Sequence, residues 1–377
     1  MRILQVVVRF HPYVGGVENT VYHLARRLAA RGHEVRVVCA DEPAGSPPEV
    51  EGIAVVRLPW WFKVGNANVC FGIRDALLRE KPDLIHAHLP TAGFPDVAAS
   101  VSRKLGVPLV LTYNNDLIGG GLKGVLAGIY NRFLLPRLFA ACDRIVYTNP
   151  LYPSQSPYLD PGDPKLFYIP WGVEVEAFQP AAEPPSPPPL VVGFLSLLDV
   201  HHRYKGLEVL LRALAEMAEL KGDPPVRLRV GGAGAELGWY RQRAEELGVA
   251  DRVEFLGFVQ DLNAFYGSCH VFALPSTDGR QEGFGLVLLE AMACGRPVVT
   301  TPIVGVAGDV EPRGVGVLVS PGDPVALANA LRTFWQKRAD LPAMGRQARE
   351  LVEERYGWER ITEEYERLFL SLPTRQG

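Results

Sequence analysis

The stretch VFALPSTDGRQEGFGLVLLEAMACGRPVVT, residues Val271–Thr300, decides how the chain is read. Val271-Phe-Ala-Leu274 is a short apolar run stopped by Pro275, as a buried strand would be. A polar, glycine-rich loop runs from Ser276 to Gly285. Leu286 to Ala293 are good helix formers, and Cys294-Gly295 supplies the left-handed stop favoured at a helix end. Arg296-Pro297 leads into a second strand, Val298 to Thr301. The spacing therefore predicts strand, loop, helix and strand, with Glu282 just outside the helix N-terminus and Glu290 a turn inside it.

The backbone N–H groups of Phe284, Gly285, Leu286 and Val287 are the unsatisfied donors of such a terminus. With the macrodipole they attract phosphate, and Gly283 and Gly285 allow close approach. Two carboxylates flanking a diphosphate would repel it, so they must bind hydroxyls instead. A nucleotide-sugar carries hydroxyls on both sides of its diphosphate. The spacing is equally compatible with a solvated loop residue at Glu282 and a surface helix residue at Glu290.

Around this stretch, 377 residues suit two domains rather than one core. With 47% hydrophobic and 21% charged residues the composition is that of a globular protein. A net charge of −3 gives no global pull toward nucleic acid or anionic membrane. The five cysteines have no metal-ligand spacing, and buried free thiols in a reducing cytoplasm are expected. The opening run is too short for a signal peptide, and no run reaches the ~18 apolar residues of a membrane span.

The first half alternates strands and helices. Ile3–Val8, a loop with Gly15-Gly16, a helix ending at Gly32 and the strand Val35–Ala40 form one βαβ unit. Asp83–His88, Pro108–Tyr113 and Arg144–Thr148 are further strands, with a helical region over Leu122–Ala141. These repeats predict an α/β chain of doubly wound parallel sheets. His86 and His88 share a strand face, yet no third metal ligand lies near them in sequence. Six prolines fall in the twelve positions Gln179–Leu190, which predicts a linker at 179–190 between domains 1–178 and 190–357. In the second half, Arg203 and Lys205 stand before a helix with Leu207, Leu210, Leu211 and Leu214; such cations call for an anionic partner. Two stretches suggest contact with a membrane surface: Trp60-Trp61-Phe62-Lys63, and the apolar residues between Leu117 and Arg137 with Lys123 and Arg132. For the second, ordinary amphipathicity favours a helix packing on its own sheet.

Glu282-Gly-Phe-Gly-Leu-Val-Leu-Leu-Glu290, with Leu274-Pro-Ser276, Glu290-Ala-Met-Ala-Cys-Gly-Arg-Pro297 and Val319-Ser-Pro-Gly-Asp323, resembles the Glu-x7-Glu signature of retaining, nucleotide-sugar-dependent glycosyltransferases of the GT-B fold. The resemblance implies two Rossmann-like domains facing a central cleft. A terminal helix within 358–377 would return to the first domain. It implies transfer of a hexose from an NDP-sugar to an acceptor hydroxyl, in glycolipid, polysaccharide or cell-surface glycan synthesis, with no cofactor or metal. Glu282 would bind the sugar, and Glu290 the ribose. Lys205 and Arg203 would stabilise the leaving diphosphate. The donor would also meet Gly16, Gly232, Phe284, Gly285, Leu286 and Val287. His88 is expected on the acceptor side or in packing. Asn114, where relatives commonly carry a histidine, is expected to position the acceptor side through its amide. Leu197 occupies the usual arginine position, which moves that role to Arg203. The acceptor would be a sugar or a lipid-linked sugar, and the protein cytoplasmic with at most peripheral membrane contact. A non-catalytic sugar-nucleotide-binding protein of this fold is the alternative; a GT-B epimerase would lack the Glu-x7-Glu pattern.

Overall fold

The computed structural model describes residues 1–373, apart from 14, 65–66, 118, 182–187, 219–224 and 280. The chain forms two compact units, Met1–Trp171 with Trp358–Gly377, and Gly172–Gly357.

The first unit is built on an eight-stranded sheet. Its spatial order is Leu166–Tyr168, Arg144–Tyr147, Leu109–Tyr113, Leu84–His88, Arg2–Val6, Glu34–Ala40, Ile53–Leu58 and Glu49–Val50. All pairings are parallel except the last. Leu84–His88 and Leu109–Tyr113 are buried at every residue, because helices cover both faces of a parallel sheet. One face packs against Phe94, Tyr130 and Leu138; the other packs against Leu24, Leu28, Ile361 and Phe369. The terminal helix Trp358–Leu370 thus belongs to this unit, as expected. It is held to the helix Gly16–Ala30 and the turn after it by Arg27–Glu359, Arg31–Glu366 and His33–Glu366 contacts of 3.1, 2.8 and 2.8 Å.

The second unit has six parallel strands in the order Val253–Gly257, Val226–Gly231, Leu190–Leu195, Val271–Leu274, Val298–Thr300 and Gly316–Leu318. Leu190–Leu195 comes first in sequence but lies in the middle. The next two strands build outward on one side of it, and the last three on the other. The strand order therefore reverses between Leu190–Leu195 and Val271–Leu274, and open α/β sheets bind ligands at such a point.

One expectation needs correction and two stretches gain detail. The units divide at Trp171/Gly172, ahead of the proline-rich stretch. Val173 N–H donates to the Tyr356 carbonyl, and Asn263 holds Ala177 and Gln179, so the intervening segment is already tied to the second unit. Residues 182–187 of the expected linker lie outside the described residues. The helical region 122–141 is two helices, Gly121–Phe133 and Leu135–Ala141, since Pro136 fits only the first turn of a new helix. Trp60–Val64 is a strand paired antiparallel with Ala67–Cys70, and all five of its residues are exposed.

Candidate active site

The reversal point brings together two loops of the second unit: the one after Leu190–Leu195, carrying Lys205, and the one after Val271–Leu274, carrying Glu282. Asp199 accepts from the N–H groups of His201 and His202 and starts a 3-10 helix, Val200–Lys205. Gly206 closes it at φ 86°, and a Cβ there would collide with the Pro275 carbonyl. Only glycine lets the loops touch so closely. Thr277 N–H then donates to the Tyr204 carbonyl at 2.7 Å.

This contact places Lys205 Nζ 2.9 and 2.8 Å from the two carboxylate oxygens of Glu282. Ser276 Oγ donates to Glu282 Oε2 at 2.7 Å. Glu282 is 1% exposed and the Lys205 side chain 18%. Burial works against the lysine charge, but Glu282 and then Tyr204 outweigh it and hold the Lys205 pKa above its ordinary value. The two residues assigned separate partners in the sequence thus form one ion pair, in which the lysine keeps access to a ligand.

The helix Leu286–Ala293 begins where expected. Gly285 is its N-cap at φ 86°, where a Cβ would lie 2.6 Å from Val304 Cγ1. Phe284 turns inward, 1% exposed, to pack 5.8 Å from the Tyr356 ring. Leu286 and Val287 lie on the first turn, where helix geometry leaves N–H groups without an intrahelical acceptor. Glu290, partly exposed, accepts from the Tyr266 hydroxyl at 2.6 Å. Burial pushes its carboxyl up to about 7, with the Tyr266 hydrogen bond pulling the other way. Gly232 lies just past the strand Val226–Gly231, where a Cβ would strike the Ser196 carbonyl; packing alone requires glycine here.

Arg203 does not join this group. Its guanidinium pairs with Glu236 and sits 4.3 Å over the Trp239 ring. The 3-10 turn sends neighbouring cations in different directions, and the anion that Arg203 was expected to need is a carboxylate of the protein itself.

In the first unit the expected residues are turned inward. His88 is 1% exposed, with Nε2 3.0 Å from Gln5 Oε1 and its ring 4.2 Å from that of His86. Burial pushes its pKa down to about 3, so it is neutral, and its packing role holds in place of an exposed acceptor-side one. No group of three metal-ligating side chains occurs among the described residues. Asn114 donates to the Leu89 carbonyl at 2.6 Å and accepts from the Trp171 indole at 3.1 Å. Gly16 begins its helix, and a Cβ would lie 2.9 Å from the Trp171 ring. The sequence reading missed Ser276, Tyr266 and Asp199 as partners. Ser276 alone carried a signal, since it stood inside a motif already singled out.

Two family models match: "Glycosyl transferase 4-like domain" over residues 15–152 and "Glycosyl transferases group 1" over residues 189–337. The chain is 29% identical over 385 residues to a phosphatidyl-myo-inositol mannosyltransferase of Mycobacterium leprae, covering 99% of this chain and 98% of that one. It is 26% identical to a glycogen synthase of Mycobacterium tuberculosis, with 98% and 95% covered. Among solved structures, Anabaena HepE in complex with UDP has a TM-score of 0.76 at 24% identity, with 99% and 100% covered. A site of this kind at the reversal point of a Rossmann-like sheet, with these matches, defines a sugar-transferring enzyme. The chain belongs to the GT-B glycosyltransferases.

Proposed function

We propose that the protein transfers a hexose from an NDP-sugar to an acceptor hydroxyl with retention at the anomeric carbon, and without a metal. The observation that carries this reading is the Lys205–Glu282 pair beside the N-terminus of Leu286–Ala293. An ammonium has three donors, and Glu282 leaves capacity for a phosphate oxygen. The donor diphosphate would lie between Lys205 and the N–H groups of Leu286 and Val287. Charge grows on it as the bond from the anomeric carbon to the phosphate oxygen breaks, and fixed donors stabilise that charge. Glu282 would accept from sugar hydroxyls, and Glu290 from the ribose. The acceptor oxygen would bond to the anomeric carbon on the face the diphosphate leaves, passing its proton to the departing phosphate oxygen.

The acceptor side of the reading is a lipid-linked sugar at a membrane surface. The helix Gly121–Phe133 exposes Leu122, Val125, Leu126, Ile129 and Phe133, with fractional exposures of 75, 58, 45, 50 and 58%. Lys123, Arg132 and Arg137 flank this stripe, and no acidic residue occurs from Leu117 to Cys142. Charge therefore complements an anionic bilayer. Among the described residues no helix is long and apolar enough to cross one.

Purified protein incubated with UDP-, GDP- and ADP-sugars, with and without EDTA, tests the reading. Expected are transfer from one of them, an unchanged rate with EDTA, and a product anomer matching the donor by NMR. Inversion would overturn retention. Rescue of a chelated enzyme by Mg²⁺ or Mn²⁺ would overturn metal independence. Donor binding without hydrolysis or transfer to any acceptor would favour the non-catalytic alternative.

A further inference from the structure

A cavity lies at the opposite end of the strands whose loops carry the candidate site. It encloses about 420 Å³ in the second unit, between the residues entering Val271–Leu274 and Val298–Thr300 and the helix Leu341–Arg355. Glu282 follows the C-terminal end of Val271–Leu274, whereas His270 and Pro297 on the cavity wall precede the N-terminal ends. A four-residue strand separates the two by roughly 13 Å.

The cavity wall carries Arg296, Arg338, Arg346 and Arg349 against Glu350 and Glu353. Arg349 is already committed, with Nε to Glu353 and Nη1 to the Ala293 carbonyl at the end of the Leu286–Ala293 helix. That contact answers one carboxylate and the negative helix terminus together. Three arginines and one glutamate remain. Arg338 donates only to the Trp335 carbonyl, and Arg346 is exposed with no carboxylate at ion-pair distance among the described residues.

Arg296 is the informative member. It is 5% exposed, donates from Nη1 to the Cys269 carbonyl at 3.0 Å, and leaves Nε buried without a partner among the described residues. Neither nearby thiol supplies an anion. Burial pushes Cys269 up to about 11 and Cys294 up to about 12, and it lowers the Arg296 pKa from its ordinary value. A buried guanidinium without a counter-charge is costly unless something else provides one. Planar guanidinium forks match phosphate oxygens, and the volume lies in the range of small-molecule sites.

We infer that this cavity binds a small phosphomonoester, with its phosphate on Arg296 and Arg346 and its body against Pro297, Leu341 and Pro342. The site is independent of the donor site and does not rest on the proposed reaction.

Isothermal titration at constant chloride, with inorganic phosphate, glucose 6-phosphate and glucose as probes, tests it. Expected is saturable binding of both phosphates, tighter for the ester, none for glucose, and no displacement by saturating UDP. Arg296→Met should weaken phosphate binding by at least roughly tenfold. Because that variant alters a buried site, Arg346→Glu, on the exposed rim, must weaken it too while thermal unfolding shows a folded protein. Glu290→Gln should leave phosphate affinity unchanged. No saturation by about 10 mM phosphate, full competition by UDP, or unchanged affinity in Arg346→Glu would each overturn the inference.

Discussion

Two sets of polar residues near strand ends, one in each unit, differ in kind. In the first unit, Gln5, His86, His88 and Asn114 are neutral or held neutral, buried, and bonded within the unit. In the second, Lys205, Glu282 and Glu290 keep charge, or the capacity for it, beside a helix terminus. The contrast is confined to these residues, because the first unit has a charged pair of its own at a helix start, with Arg9 Nε 3.5 Å from Glu18.

Glu282→Gln should break that contrast most severely. It removes the charged acceptor proposed for the sugar and leaves Lys205 with a neutral partner. A hydrogen bond to a charged group contributes ~1.5–3 kcal/mol, so kcat/KM should fall roughly 10–150-fold. Thermal unfolding should also come earlier. The cost should stay below the ~3–5 kcal/mol of a fully buried broken pair, since Lys205 retains some solvent contact. Steady-state kinetics with near-normal kcat/KM would remove Glu282 from the donor site.

That pair was the part of the site hidden in the sequence. The helix Leu286–Ala293 was legible because Gly285 and Gly295 mark its ends, at φ 86° and 69°. The parallel sheets were legible from largely apolar runs such as Leu109–Tyr113, every residue of which is buried. Lys205 and Glu282, however, stand 77 positions apart and meet only because the strand order reverses between their loops. The Arg203–Glu236 pair was hidden for the same reason, since the two lie 33 positions apart, beyond any local pattern. The stripe on Gly121–Phe133 was visible as a period, but a period does not say which face is covered. The buried residues of that helix are Ala127, Tyr130 and Asn131, so the larger apolar residues are left outside.

The outer face of the first unit offers the next test. Wild type should co-sediment with anionic vesicles at low salt and release at 1 M, where screening shortens to ~3 Å. Lys123, Arg132 and Arg137 would each contribute about 1 kcal/mol near such a surface. Leu126→Glu with Ile129→Glu adds two negative charges to exposed positions and should abolish sedimentation without moving the unfolding temperature. Absence of wild-type binding at low salt, or unchanged binding in the double variant, would favour an acceptor in solution.

Glu290 sharpens the comparison through pH. With its carboxyl near 7, it is mostly protonated at pH 6 and mostly ionised at pH 8. If the ionised form binds ribose, NDP affinity should fall by up to about tenfold as pH drops across that window. The diphosphate's own titration is common to wild type and Glu290→Gln, so the difference between their profiles isolates the residue. The free protein should show the opposite sign. A carboxyl raised by burial favours the folded state when protonated, so its contribution is present below the ordinary 4.5 and is lost as pH rises to 7. Parallel calorimetric profiles for the two proteins would take Glu290 out of the nucleotide site.

The smallest effect on turnover is expected at Asn114, and it tests the first unit's half of the contrast. Its amide is spent on the Leu89 carbonyl and the Trp171 indole, and the Trp171 ring in turn lies against Gly16. Asn114→Ala leaves both partners without it, which should cost ~1–3 kcal/mol of stability. If the amide only holds Trp171, kcat should stay within about twofold, a change in barrier under ~0.5 kcal/mol. Asn114→Asp separates holding from chemistry, because it keeps an acceptor for the indole while losing the donor to Leu89. It should unfold no later than Asn114→Ala, because a buried carboxylate oxygen would face the Leu89 carbonyl, and kcat should again stay unchanged. A large fall in kcat with little change in unfolding temperature would mean that Asn114 touches the reacting sugar, and the division of labour between the two units would not hold.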